Sequence, residues 1–175
     1  MKCITLYIAL AILSSTAAEI LPESVESPAE SQASDNSVVD ARLMTSYFNR
    51  LASKGLLYTQ PRPQEFDFAV SLGNTVLPAC VTVDEETHTV YLAIFVGRIP
   101  FENERAGKTL SGLMKQNFAI NWGKIEWDKT KGDVRISYTF LTDDGLPFDE
   151  FTFILDQIQR NADSIVDKID KELKG

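Results

Sequence analysis

The feature that most constrains this chain lies in its last third, where a strand-period segment hands over directly to a long helix-period one. In Asp133–Phe140, the residues Val134, Ile136, Tyr138 and Phe140 alternate with Asp133, Arg135, Ser137 and Thr139, the pattern of a half-buried strand. Past Leu146-Pro147-Phe148, the residues Phe148, Phe151, Ile154, Leu155, Ile158, Ala162, Ile165, Val166 and Ile169 fall on one helical stripe. A sheet face and a helix stripe of matching length can bury each other, which predicts an α+β domain built around this pair. Phe118–Asp128 reads as the other arm of a β-hairpin, turned at Lys129-Thr130-Lys131-Gly132.

The rest of the chain supplies partners for this core. A helix is expected from about Val38 to Lys54, capped by Ser37 and stopped at Gly55, with Val39, Leu43, Met44, Tyr47, Phe48 and Leu51 on its apolar side. Pro61 and Pro63 keep the next segment extended. Gln64–Leu72 alternates as a strand and turns at Gly73-Asn74 into Thr75–Val83, which Pro78 marks as an edge or bulged strand. His88–Val96 is apolar on both faces, as in a central strand or one whose second face another chain covers. A short helix over about Glu104–Gln116 follows, with Leu110, Leu113 and Met114 inward. The expectation is an antiparallel sheet of about five strands packed with three helices in the order α-β-β-β-α-β-β-α.

The N-terminus reads differently. Lys2, the short apolar run Ile4–Leu13 and the small residues up to Ala18 form a signal peptide over 1–18, with an uncleaved anchor as the alternative. Glu19–Ser37 carries five acids, no base, two prolines and five serines, the composition of a disordered acidic leader. The domain then occupies 38–175. Cleavage would leave Cys80 as the sole cysteine, so no internal disulfide is possible, and a periplasmic or secreted location is expected. The absence of an Asn-x-Ser/Thr acceptor fits a bacterial exported protein. No later segment is apolar for long enough to span a membrane. The net charge of −8 argues against nucleic acid, whose phosphates call for clustered Lys and Arg.

The ending DVRISYTFLTDDGLPFDEFTFILDQI, preceded by a strand closing in Trp127-Asp128 and a short charged turn, resembles the YbjN family, which shares the fold of type III secretion chaperones. The architectural resemblance spans roughly Val38 to Leu173, and the detailed one about Leu110 to Asp170. It implies a non-enzymatic binding module, often a homodimer, and no cofactor. The export signal departs from the cytoplasmic secretion chaperones, so a type III effector is not the expected client.

Reactive candidates are few. Ala106-Gly107-Lys108-Thr109 has the ending of a P-loop, but Glu102 stands where the motif needs its first glycine. His88 is the only histidine, which leaves no metal-ligand set. A Cys80–His88 pair could serve an envelope hydrolase, against the commoner buried thiol and surface imidazole. Glu85-Glu86 and Asp143-Asp144 sit in turns, where acids are favoured as turn formers. The aromatic set is more informative. Tyr91 and Phe95 share one face of the His88–Val96 strand. Trp122 opposes Trp127 in a regular strand, or joins it if Gly123 makes a bulge. Tyr91, Phe95 and Trp122 are therefore the candidate interaction surface, for a protein partner or a second copy. The alternatives are that hydrolase and a carrier of an apolar small molecule between helices and sheet.

Overall fold

The computed structural model describes residues 39–174. The expected signal peptide, the acidic leader and the Ser37 cap lie outside the described residues. Three helices and six strands follow in the order α1 (Ala41–Ala52), β1 (Tyr58–Arg62), β2 (Glu65–Leu72), β3 (Thr75–Asp84), β4 (Thr89–Arg98), α2 (Ala106–Gln116), β5 (Lys124–Trp127), β6 (Asp133–Leu141) and α3 (Phe148–Lys174). The sheet is antiparallel and runs β1-β2-β3-β4-β6-β5.

The period-two segments pair as their patterns demand. Phe66, Phe68 and Val70 of β2 lie opposite Val81, Ala79 and Leu77 of β3. Val81 and Ala79 face Leu92 and Ile94 of β4, which in turn face Tyr138 and Ile136 of β6. This single face meets all three helices. Phe48 of α1 stacks on Phe66 with centroids 4.6 Å apart and touches Phe151 of α3 edge-on. Ala106 and Leu113 of α2 join the same core. The α3 stripe is buried from Phe151 to Ile169, and Ile158 and Ala162 are fully enclosed.

Five local expectations change. The cap of α1 is Asp40, whose carboxylate accepts from the N–H groups of Arg42 and Leu43, so the helix starts later than Val38. A sixth strand, β1, appears in the segment expected only to be extended. It shows no alternation, and Pro61 fits because β1 is an outer strand. Pro78 does not put β3 at an edge. The strand is interior, but its pairing with β4 begins only at Ala79, so Pro78 lies where that side of the ladder is open. The first hairpin arm shrinks to Lys124–Trp127, because Gly123 takes φ +92° and ends the strand before Trp122. In α2 the buried stripe is Ala106, Thr109 and Leu113, which leaves Met114 at the surface. Gly55 does stop α1: its N–H bonds Ala52 O while Leu56 N–H bonds Leu51 O, a Schellman closure.

Candidate interaction surface

With the helices on one side, the other face of the sheet is made of the alternate residues. In its middle row Asp67, Cys80, Ala93, Ser137 and Lys124 lie side by side across five strands, and the three central residues are small. Cys80, Ala93 and Ser137 are at most 2% exposed, although no helix of the described residues lies on this side. Their cover comes from the rows beside them. Glu65, Thr82, Tyr91 and Thr139 form one, and Phe95, Arg135 and Glu126 the other. A β-bulge at Val96 lets Phe95 sit opposite Arg135 before β4 resumes pairing at Gly97.

Tyr91 ties the two rows together. Its hydroxyl donates to Glu126 Oε2 at 2.8 Å, a reach that lays the ring across β6 over the small side chains. Arg135 Nε donates to the same oxygen at 2.8 Å, and Lys124 Nζ lies 2.8 Å from Oε1. Burial works to raise the Glu126 carboxyl, but the hydrogen bonds from Lys124, Tyr91 and Arg135 outweigh it and hold it down at about 2. Burial and then the Glu126 carboxylate push the Tyr91 hydroxyl well above its usual value, so it stays a donor at any physiological pH. Burial, with Glu65 alongside, raises Asp67. Sequence pattern pointed to Tyr91 and Phe95 but missed Glu126 and Arg135. Their alternation with apolar neighbours reads only as a solvated strand face.

Trp122 is not on this surface. The Gly123 turn swings it to the helix side, where it packs against Tyr138 and, edge-on at 5.8 Å, against Phe153 of α3. Asn161 of α3 holds the Trp122 carbonyl. Trp127 lies on that side too, its indole N–H donating to Ile99 O. The bulge alternative for the two indoles is the one the fold adopts in effect, and the three aromatics divide two to one between opposite faces.

The Cys80–His88 pair is not assembled. From Cys80 the chain runs four residues to Asp84, about 13 Å at strand rise, before the turn that holds His88. The imidazole instead meets Asp143, with Nδ1 2.9 Å from Oδ1. The acid pairs act in turns: Asp84 accepts from Glu86 and Thr87 N–H, and Glu85 accepts from Ala41 N–H at the start of α1. Gly107 and Lys108 open α2 at the surface while Thr109 turns inward, so this segment forms no phosphate cradle. Among the described residues, no cluster of three or more His, Cys, Asp or Glu has metal-binding geometry, and no helix is long and apolar enough to cross a membrane. A cavity of about 330 Å³ between α2 and α3 is lined by Gln116, Ser164, Asp167, Lys168, Lys171 and Glu172, a polar wall unlike a site for an apolar ligand.

Neither a protein-family profile nor a curated protein sequence matches the chain. Solved structures do. The crystal structure of YbjN from E. coli superposes with a TM-score of 0.55 at 12% identity, covering 79% of this chain and 98% of that one. A chain of the ExsC–ExsE complex gives 0.53 at 12% identity, over 73% and 95%. A chain of the HopA1–SchA chaperone–effector complex gives 0.49 at 10% identity, over 72% and 91%. The likeness is one of fold: the chain has a YbjN-like α+β architecture, shared with the chain of the ExsC–ExsE complex.

Proposed function

We propose that this protein is an exported, non-catalytic binding module that docks a protein partner, or a second copy of itself, on the sheet face that no helix of the described residues covers. The observation that carries the reading is the placement of Tyr91 and Phe95. They are half-buried on the side opposite all three helices, and beside them Glu126 and Arg135 are already locked into one geometry. Aromatics held beside an arginine already fixed by a carboxylate lose little conformational freedom on binding, and aromatic residues and arginine are enriched in interface centres. A solved chain of the same fold that was crystallised as a two-protein complex, ExsC–ExsE, supports a protein as the ligand. Export rests on the N-terminal sequence, and the acidic leader would tether the domain after cleavage.

The test compares the mature chain with its Tyr91→Asp and Phe95→Asp variants. Each variant would place a charge in the centre of the proposed interface. Immobilised wild type should retain a partner from an envelope fraction, or itself run as a dimer in light scattering. Both variants should lose that association while keeping the wild-type circular dichroism. Equal association by all three proteins would overturn the assignment of this face.

A further inference from the structure

β5 is an outer strand only four residues long, and a side chain occupies its outward backbone groups. The Ile125 N–H donates to Asn117 Oδ1 at 2.6 Å, and the Ile125 carbonyl accepts from Asn117 Nδ2 at 3.2 Å. In an antiparallel ladder both backbone groups of a residue point the same way. Those of Ile125, which lies opposite Ile136, therefore point away from β6, to where a seventh strand would run. A carboxamide offers one acceptor and one donor side by side, as a residue of that strand would. Asn117 ends α2 and delivers this substitute from the helix terminus. At the opposite edge β1 is blunted by other means: Pro61 lacks an N–H, and pairing with β2 is irregular between Thr59 and Arg62.

What the guard excludes can be read from β5 itself. Two copies of Lys124-Ile125-Glu126-Trp127, paired antiparallel about Ile125, would set Lys124 of each opposite Glu126 of the other. Opposite charges in directly facing positions favour that register, and the pairing closes with two-fold symmetry. We propose that Asn117 is an edge guard whose carboxamide keeps β5 from zipping to the β5 of a second copy. The edge is thereby shut, and association is left to the face of the sheet.

Asn117→Ala tests this by light scattering over a concentration series and by hydrogen exchange at the Ile125 amide. The expected result is a doubling of mass relative to the wild type's own species. The Ile125 amide should exchange fast in dilute solution and become protected as the variant associates. Adding Lys124→Glu, which sets like charges opposite each other, should return the mass to the wild-type value. If Asn117→Ala loses the folded circular-dichroism signature, Asn117→Leu carries the same test, since it keeps the side chain's bulk and offers neither an acceptor for the Ile125 N–H nor a donor for its carbonyl. A folded variant with wild-type mass at every concentration overturns the proposal, whether the amide is fast or protected. So does a mass increase that Lys124→Glu leaves unchanged.

Discussion

Tyr91 on β4 and Glu126 on β5 are hydrogen-bonded at 2.8 Å although β6 runs between their strands. The bond helps a sheet face on which no helix of the described residues lies keep Cys80, Ala93 and Ser137 from water. The same contact makes the face rigid, because Arg135 and Lys124 hold the carboxylate from two further directions.

Acid should expose this network. The Glu126 carboxyl sits at about 2 in the folded chain against an ordinary value of 4.5, so the folded state binds fewer protons there than the unfolded one. Its stabilisation is complete above about pH 4.5 and is lost as the pH falls toward 2. Glu126→Gln should lower the melting temperature at pH 7 and lose that difference near pH 2. Asp67→Asn should do the reverse: the folded state raises this carboxyl, so the variant is slightly more stable at neutral pH, and the gain fades on acidification. Thermal melts from pH 2 to 7 give both profiles, and parallel curves would refute the assignment.

Ile158 is fully enclosed where α3 meets the sheet. Ile158→Ala should cost roughly 2–5 kcal/mol, from lost transfer energy and the cavity left behind. Urea denaturation measures it, and a cost below 1 kcal/mol would mean the helix and sheet collapse around the gap.

Two glycines with positive φ should respond unequally to alanine. At Gly132 (φ +76°) an added Cβ would meet Ile99 O at 2.9 Å and the Pro100 Cα at 3.1 Å, both backbone atoms. At Gly55 (φ +98°) the space is open, and only the left-handed conformation opposes the change, at about 1–2 kcal/mol. Gly132→Ala should therefore lower the melting temperature more than Gly55→Ala does, and equal effects would exclude the clash.

Chemistry at Cys80 and His88 should be dispensable. With Cys80 2% exposed, its thiol should react slowly with a disulfide reagent in the folded protein and rapidly in denaturant. Cys80→Ser and His88→Gln should bind whatever the wild type binds. Loss of binding in a folded variant of either kind would return the hydrolase reading.

How much of this was legible in the sequence depends on the range over which each signal acts. Val134 to Phe140, the stripe from Phe148 to Ile169 and the Gly73-Asn74 turn were readable because periodicity and turn chemistry are local, and each is spelled out within a few neighbouring residues. The two apolar sides of β4 likewise announced an interior strand. β1 was not readable, since Tyr58–Arg62 has no alternation and becomes a strand only because β2 offers it a ladder. Nor was the face that Trp122 joins, which one left-handed glycine decides. Tyr91 and Glu126, 35 residues apart, and Asn117 with Ile125, 8 apart across a turn, meet through the register of β6 and the end of α2. The sequence by itself determined which segments must be buried and in what secondary form. Tertiary structure alone decided which polar side chains close the open face and the outer edge, because a hydrogen bond depends on distances that periodicity does not encode.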